Sequence, residues 1–284
     1  MSPLHATLLI SAPDRRGLVA AISGFLSQHD ANILDLSQHV ARAHDRFFAR
    51  AVFDMEGLAI AREEVGPAFA PVARRFGMDW DLTFSDQVKR MAILVSKYDH
   101  CLYDLLIRHK AGELPVEIPF IASNHPDLEP VARFFGVPYH HLPVTPATKA
   151  QQEAELTRML EAAQVDFVVM ARYMQILSPT FLARFRHRVI NIHHSFLPAF
   201  VGGKPYHQAY ERGVKLIGAT GHYATDDLDE GPIIEQDVVR VNHEDHIDDL
   251  VRKGRDIERV VLARAVRLHA ENRVIVYGNR TIVF

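Results

Sequence analysis

Strands and helices alternate along the chain from about residue 91 onward, and this alternation limits the fold more than any other feature of the sequence. Apolar runs that are typical of strands buried on both faces occur at Met91–Val95, Ile118–Ser123 and Phe167–Met170. Helical stretches separate them, at about 102–107, 128–135 and 150–163, with a short strand near Tyr139. Such connections cross over from one parallel strand to the next. We therefore predict an α/β fold with a Rossmann-like, mostly parallel sheet and helices on both faces.

The first part of the chain follows a different order, which is strand, helix, strand, strand, helix, strand. The segments that show it are a strand at 8–10, a helix with Leu18, Ile22 and Leu26 on one face, strands at 32–34 and 47–53 joined by a turn at 43–46, a helix at about 60–75 and a strand at 80–82. A polar segment, 85–90, is typical of a linker. The chain has 284 residues, 48% of them hydrophobic, which is enough for two domains. We predict domains over 1–84 and 85–284, the second ending in a helix at about 245–271 and a hairpin with strands 274–277 and 282–284.

Polar residues that suit catalysis interrupt the apolar pattern of the second domain. They lie in the segments Asn191-Ile192-His193-His194-Ser195, Thr220-Gly221-His222-Tyr223 and Leu228-Asp229-Glu230-Gly231-Pro232. Alternate side chains of a strand share a face, so Asn191 should point with His193, and Thr220 with His222. An amide can donate to an oxyanion, an imidazole can move a proton, and a carboxylate can orient the imidazole or order a water. Together they suit hydrolysis or transfer of an acyl group.

Each of these residues alone also has a structural interpretation, because a single histidine after a strand is usually structural. Their position favours catalysis: the strand run at Val189-Ile190 breaks off at Asn191, and functional groups of open α/β sheets follow the carboxyl ends of strands. The 17 histidines raise the alternative of a metal site. However, His193 and His194 should point to opposite strand faces, and the sequence has no His-Glu-x-x-His motif or cysteine pair. We predict no catalytic metal.

Composition restricts the partners of the chain. The formal net charge is -3, and the absence of a lysine and arginine run argues against a nucleic-acid partner. The single cysteine, Cys101, excludes an internal disulfide framework and fits a reducing compartment. Its neighbour His100 allows a thiolate pair, but the leucines that follow favour a buried cysteine at a helix start. Residues 1–5 lack the basic region of a signal peptide, and no segment is long and apolar enough to span a bilayer, so we expect a cytoplasmic protein with no membrane partner.

The element order of residues 1–84 resembles that of the ACT domain, a small ferredoxin-like (α+β) module that commonly binds amino acids. The turn Pro13-Asp14-Arg15-Arg16-Gly17, followed by Asn32-Ile33, is similar to the ligand loop of that module. The resemblance implies a homo-oligomer and an amino-acid effector bound by Asp14, Arg15, Arg16, Gly17 and Asn32. A helix amino terminus offers free amides to a carboxylate, and a glycine allows close approach. The alternative is that the module serves only in dimer packing.

The polar segments of the second domain resemble the catalytic signature of folate-dependent formyltransferases. The likeness is carried by 191–198, 218–223 and 228–234, and further by Ser96-Lys97 with 100–102, 121–125 and 170–177. With the ACT module in front, the whole chain is similar to the formyltetrahydrofolate deformylase family of one-carbon metabolism and purine biosynthesis. The resemblance implies a mostly parallel sheet of the formyltransferase type.

By this resemblance Asn191, His193 and Asp229 are the catalytic residues, and the substrate is 10-formyltetrahydrofolate. The residues that it places around the pterin are Met174, Gln175, Ile176, Leu177, His222, Thr225, Asp226, Asp227 and Leu228. Water would attack the formyl carbon, Asn191 and protonated His193 would stabilise the oxyanion, and Asp229 would order the water and take its proton. No cofactor is required. We interpret His194 and His207 as structural or rim residues.

Three features depart from the family pattern. Gly221 stands where many deformylases have alanine, which we expect to leave the site unchanged, and Gln175 stands at an often basic position. Related glycinamide ribonucleotide transformylases have a glycine-rich phosphate loop after their first strand, where this chain has Lys97-Tyr98-Asp99-His100. A bulky loop with an aspartate is a poor nest for phosphate, so the difference favours water over an amine as acceptor.

Two other functions fit part of the pattern. A transferase that passes the formyl group to an amine would use the same catalytic residues. A folate sensor with little turnover would need the pocket but not three reactive groups together. The sequence therefore favours hydrolysis of 10-formyltetrahydrofolate to formate and tetrahydrofolate.

Overall fold

A computed structural model describes residues 4–199 and 205–284 of the chain. The chain folds into two compact units. The first comprises residues up to Val88 with Asn272–Ile275 and Ile282–Phe284, and the second comprises Lys89–Glu271 with Val276–Thr281. Within the described residues, no helix combines the length and the apolar character that a membrane crossing requires.

The first unit is an antiparallel sheet with two helices, in the element order that the sequence predicts. Its elements are β1 (His5–Pro13), α1 (Leu18–Gln28), β2 (Ile33–Ala41), β3 (Arg46–Asp54), α2 (Arg62–Phe76) and β4 (Asp79–Phe84). The strand order is β2-β3-β1-β4, and each pair is antiparallel. A short 3-10 turn at Arg42–His44 stands at the predicted turn between β2 and β3. This is the α+β arrangement that the resemblance to the ACT domain implies.

The core of the first unit follows from the periodicity of its elements. Alternate residues of β1, namely Ala6, Leu8, Ile10 and Ala12, are buried, as the period of a strand requires. Helix α1 buries Leu18, Ile22, Phe25 and Leu26, which lie on one helical face. The sheet and the helices therefore enclose one continuous apolar cluster.

The second unit alternates strands and helices. Its first half contains β5 (Lys89–Val95), α3 (His100–Lys110), β6 (Val116–Glu117), β7 (Ile121–Ser123), α4 (Glu129–Phe134), β8 (Tyr139–His141), α5 (Lys149–Ala162), β9 (Phe167–Met170) and α6 (Pro179–Arg184). The remaining elements are β10 (Val189–His193), α7 (Pro205–Arg212), β11 (Leu216–Tyr223), β12 (Ile233–Arg240) and α8 (Ile247–Ala270), and the chain ends in the hairpin strands β13 (Val274–Tyr277) and β14 (Arg280–Val283).

The sheet of the second unit is mostly parallel, as predicted. Its strand order is β12-β11-β10-β9-β5-β7-β8, with β6 beside β5. The strands from β8 to β10 pair in parallel, whereas β11 and β12 are antiparallel to their neighbours. Strand β10 thus lies between a parallel and an antiparallel neighbour.

Three sequence-based boundaries are wrong. The segment 118–123 is a strand only from Ile121, because Pro119 has no amide hydrogen to donate to a ladder. The polar segment 85–90 is not all linker, since β5 begins at Lys89. The strand run at Val189 does not break off at Asn191 but continues to His193, because the ladder to β11 extends through these residues.

Candidate active site

Strand β10 presents Asn191 and His193 on one face, as the period of a strand predicts. In the ladder with β11, Asn191 lies opposite His222 and His193 opposite Thr220. The Asn191 Nδ2 atom is 3.2 Å from His222 Nε2. His222 Nδ1 is 3.1 Å from the Tyr223 carbonyl oxygen, which can only accept, so Nδ1 carries the hydrogen. His222 Nε2 then accepts from Asn191, which fixes the orientation of the amide.

Asp229 completes the predicted catalytic set. Its Oδ1 atom is 3.1 Å from His193 Nδ1 and 3.8 Å from His222 Nε2. The residue has a left-handed backbone (φ 59°) in the loop between β11 and β12, and this conformation brings its carboxylate back to β10. The structure therefore brings Asn191, His193 and Asp229 together, with His222 beside them.

The surroundings of Asp229 and His222 give these two side chains different charges. Burial tends to raise the pKa of Asp229, but the hydrogen bond and charge of His193, with the charge of His222, outweigh it and lower the pKa. Burial lowers the pKa of His222. Asp229 is therefore ionised and His222 neutral near pH 7. His193 donates from Nδ1 to Asp229, and its buried Nε2 has no hydrogen-bond partner among the described residues.

The three residues line a cavity of about 550 Å³. Four residues of the predicted pterin set also line it, namely Met174, Gln175, Ile176 and Leu228. A smaller adjoining cavity of about 50 Å³ is lined by others of that set, namely Leu177, His222, Thr225 and Asp226. The remaining member, Asp227, lines neither cavity, and its carbonyl accepts from Thr225 Oγ1 at 3.1 Å. Met174, Ile176 and Leu228 are about half exposed, which offers an apolar surface to a flat ring.

His194 and His207, which the sequence analysis interprets as structural or rim residues, both line the main cavity. The prediction that His193 and His194 point to opposite faces is wrong: β10 ends at His193, and the two ring centroids lie 5.2 Å apart. Burial, followed by the charge of Arg172, lowers the pKa of His194 to about 3, so this ring is neutral. His207 lies on α7 and is exposed.

Sequence reasoning missed a second polar group in the lining of the main cavity. Glu258, only 1% exposed, accepts from Tyr206 Oη at 2.5 Å and lies 2.8 Å from His100 Nε2 and 3.5 Å from Arg172 Nε. A signal was available: Glu258 lies on the buried face of α8, four residues from Gly254 and from Leu262. A single acidic residue on such a face marks a buried charge that needs partners.

One group of potential metal ligands lies in this region among the described residues, namely His100, Cys101 and Glu258, with ligand atoms within 4.8 Å of one another. Cys101 is fully buried in the first turn of α3, as predicted, and burial, with the charge of Glu258, raises its pKa well above the ordinary value. The thiol is therefore protonated, and Glu258 is already bound by Tyr206 and His100. Neither suits a metal ligand, which must be deprotonated and available.

The predicted ligand loop of the first unit lies between β1 and α1. Gly17 has φ 92° and caps the amino terminus of α1, so a glycine is required by the backbone. The Asp14 amide donates to the Asp45 carbonyl at 2.8 Å, and the Arg15 guanidinium donates to the Arg75 carbonyl. Arg16 is exposed in the same turn, whereas the Asn32 carbonyl, just before β2, accepts from the Asp54 amide at 2.8 Å.

Comparisons with known proteins extend over the whole chain. A sequence model described as formyl transferase matches residues 89–266, and a model of the ACT domain matches residues 6–63. A formyltetrahydrofolate deformylase of Synechocystis sp. is 53% identical over 284 residues, which is 100% of each chain. A formyltetrahydrofolate deformylase of Bacillus subtilis is 49% identical over 278 residues, covering 98% of this chain and 93% of that one.

A solved structure agrees with the sequence relatives. The crystal structure of a formyltetrahydrofolate deformylase from Pseudomonas syringae pv. tomato superimposes with a TM-score of 0.97 at 48% identity, covering 100% of this chain and 95% of that one. The chain belongs to the formyltetrahydrofolate deformylase family. A more distant neighbour, glycinamide ribonucleotide transformylase 1 from Symbiobacterium toebii, has a TM-score of 0.67 at 35% identity and covers 72% of this chain and 98% of that one.

The structure places the features that depart from the family pattern. A Cβ atom at Gly221 would lie 2.9 Å from the Ala265 Cβ of α8, so an alanine here would require the helix to shift, while the expectation that the glycine leaves the site unchanged stays a prediction. The loop after β5, at 97–100, places the Tyr98 ring in the wall of the cavity and begins α3 with His100. Gln175 lines both cavities.

Proposed function

We propose that this chain hydrolyses 10-formyltetrahydrofolate to formate and tetrahydrofolate. The observation that supports this most strongly is the convergence of an amide, an imidazole and a carboxylate on one cavity, with the buried His193 Nε2 atom lacking a partner among the described residues. The names of the relatives at 53% and 49% identity agree with the proposal.

Each catalytic residue has a role that its geometry allows. Water attacks the formyl carbon, and the resulting oxyanion accepts from the Asn191 amide and from protonated His193 at Nε2. Asp229, which is ionised and bound to His193 Nδ1, orders the water and takes its proton. The folate nitrogen leaves with a proton, so one water and one formamide give one amine and formic acid, which ionises to formate.

The exposed apolar residues beside the catalytic set form the proposed pterin contact. Met174, Ile176 and Leu228 offer the apolar face, and Thr225 and Asp226 in the smaller cavity offer polar groups to the ring edge. A ligand pocket of this kind is mainly apolar with a few placed polar groups.

The test is release of formate from 10-formyltetrahydrofolate with no amine present. Formate and tetrahydrofolate formed in equal amounts without an acceptor support hydrolysis. Strict dependence on an added amine would instead indicate a formyltransferase, and tight folate binding without turnover would indicate a sensor.

We propose that no metal or other cofactor takes part. Asn191, His193 and Asp229 supply an oxyanion donor and a base between them, so the chemistry is complete without a Lewis acid. Treatment with a chelator should leave turnover unchanged. Inactivation that added zinc or iron reverses would contradict this proposal.

We propose further that the first unit binds an amino-acid effector at Asp14, Arg15, Arg16, Gly17 and Asn32. The turn before α1 supports it, because Gly17 leaves the first amides of the helix open to a carboxylate. Calorimetry of the full chain against a panel of free amino acids, paired with turnover assays, tests it. No binding and no change in turnover would leave the unit with a packing role only.

We infer a homo-oligomer and a cytoplasmic location. The first unit has unpaired sheet edges at β2 and β4 among its described residues, and such edges favour pairing with another chain. The single, buried cysteine fits a reducing compartment. Light scattering gives the mass in solution, and a monomer at all concentrations would contradict the first inference.

A further inference from the structure

The lining of the main cavity includes an arginine with a strained backbone and a side-chain donor that is unpaired within the described part of the chain. Arg172 follows β9 and has a left-handed backbone with φ 64°, a conformation that costs an ordinary residue about 1–2 kcal/mol. Its side chain is 9% exposed, and its buried Nε atom has no hydrogen-bond partner among the described residues. A buried donor of this kind is normally satisfied, so an open donor at this position points to a ligand.

Neighbouring side chains hold this guanidinium in place. Glu258 Oε2 lies 3.5 Å from Arg172 Nε, which provides charge balance without a hydrogen bond. The guanidinium carbon lies 5.0 Å from the centroid of the Tyr98 ring. Gly254 leaves room for Tyr206, whose hydroxyl orients Glu258, because a Cβ atom at Gly254 would lie 2.0 Å from the Tyr206 Oη atom.

A second guanidinium faces the same ring. The Arg255 guanidinium carbon is 5.8 Å from the Tyr98 centroid, and Arg255 also lines the cavity. With Glu258 ionised, the group formed by Arg172, Arg255 and Glu258 has a net charge of one positive unit. It therefore suits one monoanion.

The site lies next to the reacting group. Met170 is level with Asn191 in the ladder between β9 and β10. Arg172 follows Met170 by two residues, beyond the end of β9, and it lines the same cavity as His193. Its charge contributes to the lowered pKa of His194, the residue next to His193.

We propose that Arg172 and Arg255 form a carboxylate-binding subsite, and that its ligand is the formate released at His193. The assignment of formate rests on the proposed hydrolase function. A guanidinium presents paired donors that match both oxygens of a carboxylate. The subsite draws the product anion away from the catalytic residues while tetrahydrofolate still occupies the pterin pocket. The other carboxylate that could occupy it is the glutamate tail of the folate.

Sodium formate titrated into the resting full-length enzyme tests the proposal, with binding followed by calorimetry and by inhibition of turnover. Arg255 is exposed on α8, so Arg255→Gln should fold normally and weaken formate binding roughly tenfold or more, since a charge-assisted hydrogen bond is lost. Arg255→Lys should lose less. Arg252→Gln, one turn earlier on α8 and outside the cavity, is the matched control and should bind formate as the parent does.

Added tetrahydrofolate separates the two possible carboxylates. If formate is the ligand, tetrahydrofolate does not displace it, and Arg255→Gln leaves the KM for 10-formyltetrahydrofolate unchanged. If the tail is the ligand, tetrahydrofolate competes with formate, and Arg255→Gln raises the KM for the folate but not for 10-formyltetrahydropteroate, which lacks the tail.

One result would overturn the carboxylate subsite, and a different result would overturn the proposed hydrolysis. An enzyme that turns over but does not bind formate, or that binds it equally well as Arg255→Gln, overturns the subsite. An enzyme that binds formate through Arg255 but releases none from 10-formyltetrahydrofolate overturns the proposed hydrolysis and retains a carboxylate site.

Discussion

In the first unit the described core is apolar apart from Thr7, whereas the second unit buries a set of polar and charged side chains. That set comprises Ser96, Ser123, Gln152, Glu153, Arg172, His193, Ser195, Thr220, His222 and Glu258. Burial of a polar group destabilises a fold unless the group is hydrogen-bonded, and burial of a charge costs more. Most members of this set that carry a charge or an imidazole lie around one cavity. The contrast therefore separates the unit that carries the proposed chemistry from one in which Thr7 is the only buried polar residue among those described.

The largest expected effect of this contrast is on turnover. Asn191→Ala should lower kcat by roughly 10² to 10³, because it removes an oxyanion donor, with little change in folate binding. Asp229→Asn should be at least as severe, since it keeps the shape but cannot take a proton. Arg16→Ala in the first unit is the matched surface change and should leave basal turnover unaffected. Near-parental activity in either active-site variant would refute the assigned roles.

Glycines of the two units should respond to alanine in opposite directions. Gly254→Ala brings a Cβ atom to 2.0 Å from the buried Tyr206 hydroxyl, so we expect destabilisation by about 1–3 kcal/mol. Gly24 lies within α1, and a Cβ atom there would meet nothing within 4 Å, so Gly24→Ala should stabilise by about 0.4–1 kcal/mol. Chemical denaturation measures both. If Gly254→Ala stabilised the protein as Gly24→Ala is expected to do, the polar cluster around Glu258 would tolerate repacking.

Acid should destabilise the second unit through a buried histidine. Burial lowers the pKa of His269 to about 3, and its Nδ1 atom lies 2.8 Å from the Tyr223 hydroxyl. Between its ordinary pKa of about 6.5 and the lowered value, the unfolded chain binds a proton that the folded chain does not. The free energy of unfolding should therefore fall with decreasing pH, by at most about 1.4 kcal/mol per pH unit for this residue, since one group exchanges at most one proton.

Denaturation of the parent and of His269→Gln across this pH range gives the measurement. The variant should show a shallower dependence of stability on pH than the parent. An identical slope would assign the acid sensitivity to other groups.

The smallest expected effect on turnover lies in the ligand loop of the first unit. Gly17→Ala places an ordinary residue at φ 92°, which should cost about 1–2 kcal/mol of stability. The nearest side-chain atom would be at 3.7 Å, an ordinary contact, so the cost comes from the backbone alone. Basal turnover should not change, whereas any amino-acid effect should weaken. A change in basal kcat would contradict this prediction.

Elements with a clear period could be predicted from the sequence. The strand at 167–170 coincides with β9, and the helix at about 245–271 is close to α8, because each has a continuous apolar run or face. Helices α6 and α7 were not predicted: they have 6 and 8 residues, so their helical period is weak, and of the helices this short only α4 was predicted. Strand β7 is shorter than its apolar run because Pro119 cannot extend the ladder.

The candidate site was predictable where it depends on a strand and not where it depends on tertiary packing. Asn191 and His193 share a face because they are two residues apart on β10. The contact between Asp229 and His193 depends on tertiary structure, because Asp229 lies in a loop and has a left-handed backbone that its sequence context does not specify. Glu258 and Arg172 meet from separate elements with no shared motif, so only the fold brings them together.

The origin of the oxygen in the product tests the central claim most directly. Hydrolysis in water enriched in ¹⁸O, with 10-formyltetrahydrofolate and no amine, should give formate that contains one solvent oxygen per molecule, and Asn191→Ala should slow its appearance. Absence of formate until an amine is added, or formate without solvent oxygen, would contradict attack by water at the Asn191, His193 and Asp229 site.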